Sequence, residues 1–263
     1  MSNLSAYLSI VFGLFGLALV NFSFADTNLN APQNFNPDSN RKATTPIILK
    51  FSDIADSAPN SRAAQQILRE AYKKLDIEIE IKILPNSRAV NLLSLNELDG
   101  LVYRVSNVPL HDLSKINVPI LFEEIHAFTV HHPIEIESYL SLKPYSIGFF
   151  AGSRIFEDRL KGMRVDTAPT EESLLRKLAM GRTQMAVSTR SSFCRAKKLG
   201  LSSIKLLEPA LEKILGYHWL SERHQHLYPK IERVLKAMEK NGRIKQINEE
   251  MWKSFEEECA QLN

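Results

Sequence analysis

77-IEIEIKI-83, followed by 85-PNSRA-89 and 99-DGLVYR-104, is the stretch that decides the fold. In the first segment, isoleucines at positions 77, 79, 81 and 83 alternate with charged residues, which is the period of a β-strand with one buried face. Pro85-Asn86-Ser87 then predicts the start of a helix. Asp99-Gly100 predicts a turn into a strand over residues 101–104.

The residues before this stretch supply one more strand and one more helix. Residues 47–51 form a short apolar segment that ends at Ser52-Asp53. A helix with Asn60 as its predicted N-cap follows and runs to about Lys74. The order strand, helix, strand, helix, strand predicts a parallel sheet with right-handed crossovers.

The same order of elements begins again after residue 140. Glycine and threonine signals at Gly152-Ser153 and Thr170 predict two helix starts. Strands are predicted over residues 145–149, 163–166, 185–188, 204–207 and 214–220, and two final helices over about 225–240 and 242–258. Two α/β units in series predict two lobes, with a ligand cleft at the carboxyl ends of their strands.

The amino terminus carries a predicted export signal. Residues 1–25 contain no charged side chain, and their apolar segment, residues 8–20, is too short to span a bilayer comfortably. Ser23-Phe24-Ala25 predicts cleavage of a signal peptide over residues 1–25, before Asp26; the alternative is an uncleaved membrane anchor. Residues 26–45 are rich in Asn, Pro, Asp and Thr and are predicted to form a flexible lead. The expected location is therefore the periplasm.

Composition narrows the class of protein. The chain has 263 residues, 44% of them hydrophobic and 24% charged, with a net charge of +3, which is an ordinary globular composition. The basic residues are spread along the chain, so no nucleic-acid partner is predicted. The two cysteines, Cys194 and Cys259, are expected on different lobes, too far apart for a disulfide, as free thiols.

Four groups of segments resemble the extracytoplasmic solute-binding proteins of family 3, the type that serves polar amino-acid importers. They are 85-PNSRA-89 with 96-NELDG-100 and Arg104, 146-SIGFFAGS-153, 174-LLRKLAMGR-182 through Val187, and 241-NGRIKQI-247 with Trp252. The resemblance covers about residues 46–256 and identifies a divergent member. It implies an α/β, two-lobed periplasmic binding protein fold, with parallel-rich lobes joined by two hinge strands. Lobe one would span residues 46–128, lobe two 129–215, and residues 216–263 would add a return strand and C-terminal helices to lobe one.

The resemblance also implies a function. The implied protein is a receptor that closes by hinge motion on a small polar ligand and delivers it to an inner-membrane permease. It is expected to be a monomer, to need no cofactor and to have no enzymatic activity. Two alternatives stay open: a ligand sensor that docks on a signalling receptor, and a dehydratase-type enzyme on the same fold. The family pattern is broken at Asp112, where amino-acid-binding members place an arginine, and at Thr189, where they place an acid. The aromatic-rich glycine segment after the first strand is also missing, so the ligand is expected to be either anionic or amino-acid-like.

Candidate ligand contacts follow predicted strand ends or open predicted helices. Arg104 offers a bidentate fork to a carboxylate or phosphate, and Gly152-Ser153 offers helix N–H groups, so the two are expected to face each other and to favour an anion. The complete predicted set is Ser52, Asp53, Arg88, Tyr103, Arg104, Gly152, Ser153, Arg154 and Thr189.

Each candidate has a structural alternative. Ser52 and Asp53 are also typical turn or helix-cap residues, Arg104 could form an ion pair with Asp99 or another acid, Arg88 could lie on the surface, and Ser153 could be a plain N-cap. The histidine pairs at 131–132 and 224–226 lack a third ligand, so no metal site is predicted. No nucleophile elbow, P-loop or dinucleotide motif is found in the sequence, and no acid–base pair stands out.

Overall fold

A computed structural model of the protein describes residues 47–53, 58–105 and 112–262; the predicted signal peptide and flexible lead lie outside them. Helices and strands alternate along most of this part of the chain. The strands are β1 Ile48–Asp53, β2 Glu78–Ile83, β3 Gly100–Arg104, β4 Leu113–Thr129, β5 Ile147–Phe150, β6 Val165–Ala168, β7 Met185–Thr189, β8 Lys205–Leu206 and β9 Glu212–Ser221. The α-helices are α1 Pro59–Lys73, α2 Asn86–Ser94, α3 Arg154–Arg159, α4 Glu171–Ala179, α5 Ser192–Lys198, α6 Tyr228–Lys240 and α7 Arg243–Ala260.

Among the described residues the strands form one mixed sheet. Its order is β2-β1-β3-β9-β4-β7-β5-β6, with β8 paired to β4. β1 is parallel to β2 and β3 at one end, and β5 is parallel to β6 and β7 at the other. The two predicted parallel units are thus confirmed, and the antiparallel strands β4 and β9 lie between them.

β4 and β9 are the hinge strands that connect the two lobes. β4 has 17 residues and pairs with β9 from Leu113 to Ile125, then with β7 from Ile125 to Thr129. The family resemblance implies two hinge strands but does not place them, and the apolar pattern over residues 113–124 is interrupted by charged residues and a proline. The two-lobed fold is confirmed, whereas the boundaries at residues 128/129 and 215/216 stay predictions.

Each lobe has its own core. In lobe one, the apolar faces of α1, α6 and α7 cover one side of β1, β3, β9 and the first part of β4, in a single cluster centred on Phe51, Tyr72 and Val102. In lobe two, alternate residues of β7 point to opposite sides of the sheet: Met185 and Val187 join one cluster, and Ala186 joins another. The lobe-two sheet is therefore covered on both faces.

The start of α1 differs from the predicted one. Ala58 is the N-cap, without a side-chain cap, and Pro59 opens the helix with a φ angle that already suits it. Asn60, the predicted cap, lies inside the helix, and its amide donates to the Phe122 carbonyl (3.1 Å) and to the Glu123 carboxylate (3.0 Å). By contrast, Thr170 caps α4 as predicted, in a capping box with Ser173.

The two cysteines are not separated as expected. Cys194 on α5 and Cys259 on α7 are both buried in one small cluster with Phe255. α7 extends from its contacts with lobe one to the α5 helix of lobe two, a packing that no sequence period indicates. Within the described residues, no helix is long and apolar enough to cross a membrane.

Candidate functional site

The carboxyl end of β1 carries an acid that is held by α1. Asp53 is 4% exposed, and its carboxylate accepts hydrogen bonds from the Ser61 hydroxyl (3.2 Å) and the Gln65 amide (2.9 Å). A parallel strand that ends beside the first turn of the next helix brings these side chains together. The structure thus places the predicted residue Asp53 at the expected edge of lobe one.

Two more polar side chains lie close to Asp53. Tyr103 lies near the end of β3, beside Ser61; burial raises its pKa, and the charges of Glu123 and Asp53 raise it as well. Burial raises the pKa of Glu123 to about 7, and Glu124 and Glu171 act in the same direction, while the hydrogen bond from Asn60 opposes them. Asp53, Tyr103 and Glu123 therefore form an acidic edge on lobe one, which we call the acidic edge below.

Ser52 and Arg104 lie on the other face of the same sheet. Ser52 is aligned with Leu101 and Leu101 with Trp219, so their side chains point to one side. The Arg104 guanidinium stacks on the Trp219 ring at 5.4 Å, and burial lowers the pKa of Arg104. Within the described chain, Ser52 Oγ and Trp219 Nε1 are buried without a hydrogen-bond partner.

The alternative pairing of Arg104 with Asp99 does not fit the structure. The two residues lie at opposite ends of β3. The Asp99 carboxylate is bound by Arg223 (2.7 Å), His224 (2.5 Å) and the Lys50 amide (2.7 Å). Asp99 thus anchors the far end of lobe one.

Lobe two contributes a row of hydroxyl groups where β7 ends. Thr189 Oγ1 lies 2.9 Å from Ser191 Oγ, and Ser188 Oγ lies 2.7 Å from Ser192 Oγ. Ser192 in turn donates to the carboxylate of Glu171, in the first turn of α4. This chain has Thr189 where the resemblance implies an acid, and an acid, Glu171, lies nearby on a neighbouring helix.

The remaining candidates lie on helix starts. Gly152 has a φ of +82°, which suits glycine, and Ser153 caps α3 without a side-chain hydrogen bond. α3 has six residues, so its dipole offers less to an anion than a long helix would. Arg154 and Arg88 are exposed in the first turns of α3 and α2. A contact between Arg104 and the Gly152-Ser153 turn stays a prediction.

A charged cluster at the hinge had no sequence signal. Arg190, directly after β7, donates to Glu124 on β4 (3.0 Å) and to Glu256 on α7 (2.7 Å), and its guanidinium stacks on Trp252 at 5.2 Å. Lys213 on β9 also pairs with Glu124, at 2.7 Å. Trp252 and Glu256 lie one turn apart on α7, and every other pair in the cluster is separated by 23 to 132 positions, so only the folded chain brings the cluster together.

The described residues contain no group of three or more His, Cys, Asp or Glu side chains that could hold a metal ion. What the acidic edge and the hydroxyl row offer together is hydrogen bonding and negative charge.

No protein-family profile matches the sequence, and no curated protein matches it. Solved structures do match. An amino-acid ABC transporter substrate-binding protein from Streptococcus pneumoniae, bound to L-arginine, superimposes with a TM-score of 0.62 at 11% identity, over 79% of this chain and 95% of that one. A histidine kinase sensor domain similar to periplasmic binding proteins gives 0.59 at 14% identity, over 79% and 96%.

A third structure adds another functional class. It is an ancestral amino-acid-binding protein, a precursor of cyclohexadienyl dehydratase, with a TM-score of 0.60 at 13% identity, over 78% of this chain and 95% of that one. Identities of 11–14% support a shared fold and nothing further, so the resemblance seen in the sequence is confirmed for the fold. The chain has the two-lobed fold of the periplasmic binding proteins.

Proposed function

We propose that the protein is an extracytoplasmic receptor that closes its two lobes on a small, amino-acid-like solute and presents it to a membrane importer. The observation that carries this proposal is the convergence of polar groups from both lobes beside the hinge strands. Glu123 of lobe one is close enough to Glu171 of lobe two for their charges to interact. A ligand held by both sides favours the closed state by its differential affinity.

The charges favour a zwitterionic ligand. The acidic edge suits an ammonium group, since a carboxylate bound to a cation makes a strong, charge-assisted hydrogen bond. Arg104 and the Gly152-Ser153 turn are the candidates for a carboxylate, as the sequence indicates. Because the acidic edge disfavours a purely anionic ligand, an amino-acid-like ligand is the better interpretation.

Sensing is the second candidate, because one of the structures with this fold is a histidine kinase sensor domain. Catalysis has less support. The pKa of Glu123 is raised to about 7, but the side chain hydrogen-bonded to it among the described residues is the Asn60 amide, which cannot act as a base. Import, sensing and catalysis all begin with ligand binding, so the first experiment identifies the ligand.

A thermal-shift screen of amino acids, organic acids, polyamines and sugars tests the proposal. A ligand at a hundred times its Kd should stabilise the protein by about 2.7 kcal/mol. Calorimetry with the best ligand then compares the wild type with Asp53→Asn and Arg104→Ala, using the exposed Glu239→Gln as a matched control. We expect each site variant to lose at least about 1.5 kcal/mol of binding and the control to lose none.

The pH dependence of binding distinguishes the ligand classes. If a cationic group meets the acidic edge, affinity rises as Glu123 loses its proton, between about pH 6 and 8. A purely anionic ligand at this edge would show the opposite slope. Stabilisation by no amino acid, or full binding by both site variants, contradicts the proposal.

A further inference from the structure

We propose that Cys194 and Cys259 form a reversible disulfide that locks the two lobes together behind the hinge. The pair links helices that belong to different lobes: α5 carries Cys194 in lobe two, and α7 carries Cys259. This inference does not depend on what the protein binds, because it concerns the hinge and not the ligand site.

α7 is firmly attached to lobe one along its length. Asn248 donates to the Ile120 carbonyl (2.9 Å), the Trp252 indole donates to Asn60 (2.9 Å), and Glu258 pairs with Arg62 of α1 (2.8 Å). Ile244 and Ile247 lie in the lobe-one core. Cys259, one residue after Glu258, is therefore fixed to lobe one.

Cys194 is fixed to lobe two in the same way. α5 packs on the lobe-two core through Ala196, and the row of hydroxyl groups binds its first turn. Between the two helices, Cys194 and Cys259 are 2% and 8% exposed and contact Phe255 in one cluster. The two thiols are close enough to influence each other electrostatically. A disulfide requires the sulfur atoms to approach to about 2 Å, which a rotamer change or a shift of α5 against α7 has to supply.

Both cysteines border a cavity of about 710 Å³ between α5, β8 and α7, with Lys197, Lys205 and Trp252 also in its wall. In our proposal the oxidant approaches the pair from this side. The oxidant we name is the disulfide form of a dithiol carrier protein, the class that introduces disulfides in extracytoplasmic compartments.

The exchange proceeds in two steps. The thiolate of one cysteine attacks a sulfur of the carrier disulfide, which forms a mixed disulfide and releases one carrier thiolate. The second cysteine thiolate attacks the protein sulfur of the mixed disulfide, so the Cys194–Cys259 bond forms and the second carrier thiolate leaves. Two electrons pass to the carrier, whose thiolates take up the two protons released by the cysteines.

The reaction should be slow at neutral pH. Burial, together with the neighbouring Cys259 thiol, raises the pKa of Cys194 to about 12. Cys194 has to lose its proton in either order of attack. Its thiolate fraction rises about tenfold for each pH unit up to that value, and the oxidation rate should follow.

The test uses the full chain without any ligand. Reduced protein is incubated with oxidised glutathione or an oxidised dithiol carrier, unfolded in denaturant, and titrated for thiols. We expect two thiols before oxidation, none after it, a monomer on a non-reducing gel and a mass loss of about 2 Da. Cys194→Ser and Cys259→Ser are matched controls: each has one cysteine, which can at most form a mixed disulfide with the oxidant, so neither should show the loss of about 2 Da. Two remaining thiols, or dimers joined by the disulfide, overturn the pairing.

Hydrogen exchange tests the lock itself. The backbone amides of the hinge segments, residues 122–125 and 212–216, should exchange about tenfold more slowly in the oxidised monomer, because lobe motion opens these pairs. The midpoint of thermal unfolding should rise by about 10 °C. Both changes should disappear in the Cys194→Ser, Cys259→Ser double variant. Equal exchange in the oxidised and reduced monomers overturns the lock, whatever the ligand screen finds.

Discussion

Lobe one and lobe two have the same strand–helix–strand order, but they bury their apolar side chains in different ways. Lobe one buries α1 completely along one side, with Ala63, Ala64, Ile67 and Leu68 at 0% exposure, and adds the C-terminal helices to the same core. Lobe two divides its apolar core between the two faces of its sheet. The atoms around a substituted residue should therefore have less freedom to move in lobe one than in lobe two.

The largest expected contrast comes from two glycines in strands. A Cβ added to Gly100 in β3 would lie 2.2 Å from the backbone oxygen of Trp219, whereas one added to Gly148 in β5 would lie 2.7 Å from the Cδ1 of Leu174. The first clash can only be relieved by moving β3 from β9; the second can be relieved by a rotamer change. We expect Gly100→Ala to cost more than about 3 kcal/mol of unfolding free energy and Gly148→Ala about 1–2 kcal/mol. Similar urea-unfolding midpoints for both variants would disprove the difference in stiffness.

The next contrast lies in two neighbouring hinge acids. Glu123 has its pKa raised to about 7 by burial, so its effect on stability is most favourable below about pH 4.5 and is lost as pH rises to about 7. Burial alone would raise the pKa of Glu124 too, but hydrogen bonds from Lys213 and Arg190 lower it, so its contribution is present above about pH 4.5 and is lost as pH falls.

Glutamine variants separate the two acids. At pH 8 we expect Glu123→Gln to stabilise the protein by on the order of 2 kcal/mol and Glu124→Gln to destabilise it by about 1 kcal/mol. At pH 4 the Glu123→Gln variant and the wild type should have nearly equal free energies of unfolding, because Glu123 is then mostly protonated in both the folded and the unfolded chain. Denaturant unfolding at both pH values measures these effects, and the same sign for both variants at pH 8 would refute the assignment.

Buried hydroxyl groups give a smaller contrast between the lobes. The Tyr72 hydroxyl donates to Nε2 of His218 (2.9 Å), whose Nδ1 donates to the Leu101 carbonyl (2.8 Å), and burial lowers the pKa of His218 to about 4. Tyr72→Phe leaves a fully buried nitrogen without a donor and should cost about 2 kcal/mol. Ser188→Ala in lobe two should cost about 1 kcal/mol, because Ser192 retains Glu171 as a partner. Equal losses of unfolding free energy in the two variants, measured at pH 7, would contradict the expected difference between the lobes.

Helix caps provide the smallest contrast. Thr170 caps α4 through a hydrogen bond from the Ser173 amide (3.1 Å), whereas Ala58 caps α1 with no side-chain bond. Thr170→Ala should lower the unfolding free energy by about 1 kcal/mol, and Ala58→Ser should raise it by about 0.5 kcal/mol. A thermal-unfolding comparison of the two variants checks this, and a loss of stability in Ala58→Ser would contradict the capping argument.

The site was only partly visible in the sequence. Asp53 and Tyr103 were among the predicted contacts because strand ends converge in parallel sheets, and they do lie together. Glu123 was not, because one acid in a mixed run of residues on a long hinge strand looks like a solvated side chain. Ser52 and Arg104 were predicted as neighbours of Asp53 and Tyr103, but strand alternation directs their side chains to the opposite face of the sheet.

The sequence by itself determined the two α/β units, their order, and most helix and strand positions, because periods of two and of about 3.6, turn residues and the Thr170 cap act over a few neighbouring residues. Tertiary structure alone decided the role of Asn60, the acidic edge, the Arg190 cluster at the hinge, and the meeting of Cys194 with Cys259. These contacts join elements far apart in the chain. Their partners are set by how helices pack on a shared sheet, which no local pattern records.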